Sequence, residues 1–443
     1  MAPDLTPTLP AGLGDRYVDE LRRPRRTRVD KVFTSLCGPA LCIASAACTR
    51  TSGPRCDALD VPPGFCATEF APNVGPVRHL AVGANGVVYA ALWREGRRDG
   101  GVVALADTNG DGRADLRERF GTEGGSGLVL RDSQLYLGTW STVRRWTLPR
   151  DRLVPAGDGD EVVVGMPETE HGARSLAVDG GGNLYVNVGV PSNACERDYP
   201  RRDFRGQEPC SELSTSGGVW RFRTDSTAQR FSIGARYATG LRHTVALTVD
   251  GNGTVWGAPH AIDHLSSWWP DAGYSREDAA RLPSETLHRI TLGGDYGFPY
   301  CMFDASADRY VVAPAYRGSG ASRSCDGARR PEAVLDAHSA PLALQFYEGR
   351  AFPQRYRGGL FIALHGSLFR DPLPRTGYQV AFIPFVNGVP SGRAEVFATG
   401  RRRLGGSLGA ALVRPSGLAV DSSGALYISD DTNERIWRVA PIP

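Results

Sequence analysis

Five segments of this chain can be laid over one another. They are RHLAVGANGVVYAAL from Arg78, SGLVLRDSQLYLGTW from Ser126, RSLAVDGGGNLYVNV from Arg174, TVALTVDGNGTVWGA from Thr244 and SGLAVDSSGALYISD from Ser416. Each reads as strand, turn, strand. Apolar residues alternate on both sides of a glycine, asparagine or aspartate turn, the residue types that accept the positive φ a tight hairpin needs. With Leu80, Leu128, Leu176, Leu247 and Leu418 equivalent, the steps are 48, 48, 71 and 171 residues. The longest gap holds two units with insertions, and PLALQFYEGRAFPQRYRGGLFIALHG from Pro341 supplies a degenerate one with its second strand at Leu360 to Leu364. Six such units predict an all-β chain, a six-bladed β-propeller in which each blade buries its faces against its neighbours. Apolar spacing of period 3.6 is nearly absent, which excludes a helical solenoid.

The extra length falls into three inserted loops, Pro191 to Gly218, Pro259 to Ser284 and Tyr300 to Leu335. Long loops on a rigid scaffold are where binding sites are built. The domain reading is a targeting segment over residues 1–48, a short linker over 49–58 and the propeller over 59–443. The basic run from Arg22 to Lys31 precedes a small-residue apolar stretch from Val32 to Cys48, too short and broken for a membrane span. Ser45-Ala46-Ala47-Cys48 has the small residues of a lipoprotein cleavage site, so a lipid anchor at Cys48 and simple cleavage both remain open. Either way the chain is expected to be exported: periplasmic, extracellular or anchored to the cell envelope. Six cysteines follow Cys48, and in an exported chain they read as disulfides. Local pairing, Cys56 with Cys66, Cys195 with Cys210 and Cys301 with Cys325, is preferred among the 15 connectivities that six cysteines allow.

Several chemistries are excluded by composition. Of 51 basic residues, Lys31 is the sole lysine, so the domain has neither a Schiff-base lysine nor a phosphate-loop lysine. The net charge of +3 and the lack of basic blocks interleaved with aromatics argue against nucleic acid as a partner. No G-x-S-x-G elbow or dinucleotide fingerprint stands in a strand–turn–helix context.

Every blade of a propeller presents one loop to the same axial mouth, so polar residues at corresponding ends of several units are candidate site residues. Glu170 and His171 precede the third repeat, Arg242 and His243 the fourth, His365 follows the fifth and Arg414 precedes the sixth. Imidazole titrates near neutrality, which makes His171 a candidate general base with Glu170 as its neighbour. Arg242, Arg370 and Arg414 could form a cationic pocket for a carboxylate-bearing ligand. DTNGDGRADLRE matches a twelve-residue calcium loop, with Asp107, Asn109, Asp111, Asp115 and Glu118 at ligand positions and Gly112 at the turn. No amphipathic helix flanks it, so a solvated acidic turn between two strands is the other reading. His260 and His264 flank Asp263 in a loop that either binds a metal or is packed by Trp268 and Trp269.

Taken together, LDVPPGFCATEFA, DTNGDGRADLRERFG, HGARSLAVDGGGNLYVNVG with its following PSN, GLRHTVALTVDGNGTVW, GGDYGFPYC, AHSAPLALQFYEG, RYRGGLFIALHGS and RPSGLAVDSSGALYISDD resemble the glucose/sorbosone dehydrogenase family, and most its sorbosone and pyranose branch. The resemblance covers Leu59 to Val439. It implies a propeller holding pyrroloquinoline quinone and calcium, and oxidation of a sugar or aldehyde with delivery of the electrons to an unidentified acceptor. His171 would take the proton of the substrate hydroxyl, with Glu170 on the substrate side. Arg242 and Arg414 would contact the quinone, and the carbonyls of Ala261 and Ile262 would hold calcium. Where the glucose enzymes place a lysine in the fifth unit this chain has none, and His365 and Arg370 are the available replacements. The alternative is an exported propeller without quinone chemistry that binds a carbohydrate or protein partner. A calcium-dependent lactonase would need an axial ring of Glu, Asn and Asp, which cannot be assembled here.

Overall fold

In the computed structural model the described residues are 56, 59–93, 100–196, 205–318, 324–367, 369–400 and 413–442. The targeting segment, Cys48 and most of the linker lie outside the described residues.

Six blades of four antiparallel strands surround one axis, and short parallel strands, Gln229–Arg230 and Gly294–Asp295, add a fifth to blades two and three. Their innermost strands are Val77–Val82, Gly125–Arg131, Leu176–Val178, Ala246–Val249, Pro341–Phe346 and Pro415–Val420. Blades one to five follow the chain. Blade six is built from both ends: Phe65–Ala71 pairs with Arg435–Pro441, from Phe65 opposite Pro441 to Ala71 opposite Ile436. The chain's first described strand thus fastens its last, and the ring closes without a free inner edge.

The repeat leucine explains the packing. Leu80, Leu128, Leu176, Leu247, Leu344 and Leu418 are all 4–5% exposed, and each enters a different apolar core. Each core draws on two neighbouring blades, so the molecule has one core per blade interface. At about 25 cal/mol per Å² of apolar surface removed from water, a blade gains little until its neighbour covers it. That dependence makes a single blade unstable alone.

The turn residues of the repeat have a second task. Asp179, Asp250 and Asp421 each accept a backbone N–H four residues on and reach the aromatic residue six residues on, at 3.0 Å for Tyr185, 3.0 Å for Trp256 and 3.3 Å for Tyr427. One carboxylate closes the hairpin and also satisfies a polar tip that would otherwise be buried without a partner.

The inserted loops belong to blades three and four and share a core of their own around Ile262, Trp269, Phe298, Met302 and Tyr316. Pro259 to Ser284 folds into two short helices, Leu265–Trp268 and Arg276–Arg281, the second carrying a Ser275/Asp278 capping box. Tyr300 to Leu335 contains the hairpin Cys301–Asp304 and Arg309–Val312. The disulfides are Cys56–Cys66, Cys195–Cys210 and Cys301–Cys325. Such bonds persist in oxidising compartments, which points to an extracytoplasmic protein. No helix among the described residues is long and apolar enough to cross a membrane.

Candidate active site

One end of the axis opens into a cavity of about 300 Å³ lined by Arg78, Trp93, Glu170, His171, His243, His260 and His365, among others. Two positions of the repeat supply nearly all of these groups. Ahead of or at the start of the inner strand stand Arg78, His171 and His243. Immediately after the second strand stand Trp93, Trp140, His365 and Asp431, following strands that end at Leu92, Thr139, Leu364 and Asp430. Alternation drives this arrangement: a side chain just beyond a buried strand end emerges at the mouth.

Three imidazoles form a row. The rings of His171 and His243 are 5.0 Å apart and those of His243 and His260 5.4 Å. Burial, with the nearby Arg242 charge, pushes His171 down to about 3, and burial holds His260 near 4 and His243 well below its usual value. All three are therefore neutral at pH 7. His171 Nδ1 lies 2.6 Å from the Val190 carbonyl. Only N–H can make that bond, so the proton is on Nδ1 and Nε2 carries a lone pair. The loop bearing His171 is fixed by Arg174, a fully buried guanidinium that donates to the carbonyls of Trp140, His171 and Pro167.

Two charge networks brace the rim. In the first, Arg414 Nη2 donates to His365 Nδ1 at 2.8 Å, His365 Nε2 meets Asp431 at 2.9 Å, and Asp431 also pairs with Arg78 at 3.1 Å. Burial alone would raise the Asp431 carboxyl, but its partners His365 and Arg78 hold it far below the usual carboxylate range. Arg78 also lies 4.8 Å over the Trp93 ring, and Trp93 packs on Trp140 at 4.7 Å. In the second, Arg242 donates to the carbonyl and side-chain oxygens of Asn193, both at 3.0 Å, and pairs with Asp263 at 3.5 Å. Asp263 faces His338 Nδ1 at 3.4 Å; His338 and Arg242 outweigh burial and bring its carboxyl to about 2. Glu285, pushed up to about 7 by burial, accepts the Ala261 amide at 3.0 Å.

The sequence candidates separate on this geometry. Glu170, His171 and His365 line the cavity, Arg414 stands behind His365, and Arg242, Ala261 and Ile262 line an adjoining cavity of about 50 Å³. Both nitrogens of His365 are engaged, so it presents its ring to the cavity. Arg370 is not brought there: its guanidinium donates to the carbonyls of Pro374 and Ala337. The candidate calcium loop lies between the third and outermost strands of blade one, remote in the fold from the mouth-forming positions. Asp107 accepts the amides of Gly110 and Gly112 and Asp115 that of Thr108, while Glu118 is exposed on its strand. Among the described residues the one close group of three metal-ligating types is Cys195, Cys210 and Glu212, whose cysteines form a disulfide. His264 stacks on Trp268 at 4.7 Å and His260 turns to the Pro341 carbonyl, so these two do not meet. Arg78, Trp93, Asn193 and Asp431 are not among the sequence candidates, and Asp263 stands there only as the residue between His260 and His264. Arg78 stands at the head of the first repeat segment, and Trp93 and Asp431 follow second strands as His365 does, so the repeat itself carried that signal.

A profile of the family described as TrAA12-like matches residues 59–441. The structure superposes on a Trichoderma reesei carbohydrate-active enzyme of family AA12 with TM-score 0.70 and 18% identity, covering 87% of this chain and 98% of that one. For the holo form of the pyranose dehydrogenase PQQ domain from Coprinopsis cinerea the values are 0.69, 19%, 88% and 98%. An uncharacterized protein of Borreliella burgdorferi is 32% identical over 106 residues, 24% of this chain and 27% of its own length.

Proposed function

This chain belongs to the TrAA12-like family, and from that premise we propose that it oxidises a sugar or a sugar-derived aldehyde, using pyrroloquinoline quinone and calcium. The observation carrying the proposal is His171: a neutral imidazole of defined tautomer, with a free lone pair, in a cavity whose lining includes an arginine with an unsatisfied donor.

The donor set suits a polyanionic planar cofactor. Arg78 lines the cavity, and its Nε is buried without an acceptor. Arg242 and Arg414 add positive charge from behind the walls. Together they would neutralise carboxylates, with guanidinium geometry matched to that group. The Ala261 and Ile262 carbonyls are the candidates for calcium. When bound, the quinone supplies an electrophilic acceptor for the hydrogen and electron pair of a substrate C–H bond.

The chain's own residues do the rest. His171 Nε2 accepts the proton of the substrate hydroxyl, and the Val190 carbonyl stabilises the imidazolium through Nδ1–H. The carbon loses its hydrogen with two electrons and becomes a carbonyl carbon. Arg174 and the Val190 bond keep the imidazole in place, so little reorganisation accompanies proton transfer. Trp93, packed on Trp140, gives the cavity an apolar wall on one side. The test is reconstitution with pyrroloquinoline quinone and calcium followed by dye reduction with aldoses and aldehydes; lack of quinone binding would favour a propeller that binds carbohydrate without oxidising it.

A further inference from the structure

We infer that His243 is a hydrogen-bond donor of the reacting centre, presenting Nε2–H to an oxygen held beside His171. The role at the reacting centre rests on the function proposed above; the tautomer of His243 does not.

His243 lines the cavity yet is 7% exposed, and its Nδ1 is buried without a partner. That atom faces Gly189, where an added Cβ would lie 2.4 Å from it. A neutral imidazole carries its proton on one nitrogen. Buried donors without acceptors are rarer than buried acceptors with an unused lone pair, because an N–H has one chance of a bond and an acceptor tolerates partial loss. The proton therefore sits on Nε2, which has no partner among the described residues. His171, 5.0 Å away, has the opposite tautomer, fixed by Val190. The pair thus offers one donor and one acceptor side by side, which suits a single oxygen that accepts from His243 while its own proton faces His171. The groups packed around His243 are neutral imidazoles and the cations Arg242 and Arg174, so nothing nearby stabilises a second proton on it. The ligand is an alcohol oxygen of the substrate or a carbonyl oxygen of the quinone; the hydrogen-bond chemistry is the same.

The test begins with the full chain without cofactor, labelled with ring-15N histidine. Two-bond proton–nitrogen spectra at pH 7, assigned with His171→Gln and His243→Gln, should show Nδ1–H for His171 and Nε2–H for His243. An Nδ1–H or doubly protonated His243 overturns the inference whatever the enzyme does. In the reconstituted enzyme, His243→Gln restores an N–H near the Nε2 position and should keep kcat/KM within about tenfold, while His243→Leu should lose about a hundredfold. If quinone affinity falls in step with the leucine variant, the oxygen is the quinone's; if affinity holds, it is the substrate's. Equal activity of the leucine variant and the wild type overturns the inference. Failure of the wild type to bind quinone refutes the proposed function and leaves the tautomer result standing.

Discussion

The imidazole rings of His171 and His243 lie 5.0 Å apart with their planes inclined by 55°, and Gly189 is the residue that lets them meet. A Cβ at Gly189 would stand 2.4 Å from His243 Nδ1, 2.6 Å from the His171 carbonyl and 2.7 Å from its Cβ. Gly189→Ala should therefore separate the rings. Overpacking costs about 1–3 kcal/mol, and a displacement of about 1 Å at the base lowers turnover on the order of a hundredfold. Thermal unfolding and steady-state kinetics of the variant check this; near wild-type kcat would contradict it.

Removing the base should have a larger effect. His171→Ala should lower kcat by about 10²–10⁴ with the fold intact by circular dichroism. Because His171 is held near 3, the base stays unprotonated well below neutrality. Turnover should then show no protonation limb near pH 6.5, and an acid limb there would mean that a solvent-exposed histidine, not His171, is the base.

Stability should fall as the solution is acidified from pH 7 toward 4. Seven histidines, 79, 171, 243, 260, 264, 288 and 365, are lowered on folding, chiefly by burial. Below about 6.5 the unfolded chain takes up protons that the folded chain refuses, so stability present above that pH is lost as pH falls. Glu212, Glu285 and Asp430, raised to about 7, 7 and 6, act in the opposite sense over the same window, because the folded state keeps protons that the unfolded chain releases. Seven outweigh three, and His338, raised, adds no slope once both states hold its proton. Urea midpoints at pH 7 and 5 measure the sign.

The hairpin aspartates give a prediction independent of function. Asp250→Ala removes the acceptor of Trp256 Nε1 and of two backbone amides. It should destabilise the chain by about 1–3 kcal/mol, read from chemical denaturation. Asp250→Asn should cost less, since one side-chain oxygen remains to accept.

The loop from Asp107 to Glu118 is proposed as a structural calcium site. Its Asp107 carboxylate already orders the Gly110 and Gly112 amides at 2.7 and 2.8 Å. Calcium should raise the melting temperature of the chain, and the double variant Asp107→Asn, Asp111→Asn should reduce that increment to the part due to calcium at the Ala261 and Ile262 carbonyls. An identical increment in the variant would place the ion elsewhere.

The blades were legible because each repeats the same strand, turn and leucine, and periodicity survives drift in individual residues. The three cysteine pairs were legible because each closes a local loop. The mouth is legible ahead of the inner strands and at His365, which follows a second strand. Trp93 and Asp431 sit after second strands, and a tryptophan or aspartate there reads as an ordinary strand end until the ring of blades brings it to the axis. Asn193 and Asp263 come from two inserted loops, bond each other directly across 70 positions and gather around Arg242, 49 positions from Asn193, and no local pattern encodes these contacts. Arg370 reads as a cofactor contact because it follows the fifth unit, where it could replace the family's lysine, and nothing in its neighbours reveals that two backbone carbonyls hold it.

The central claim is that the axial mouth is a quinone-dependent dehydrogenase site with His171 as base. It is tested most directly by titrating the wild type and His171→Ala with pyrroloquinoline quinone in calcium and then assaying dye reduction with a panel of aldoses and aldehydes. Both proteins should bind the quinone, and only the wild type should reduce dye. A wild type that binds no quinone, or a His171→Ala variant as active as the wild type, would contradict it.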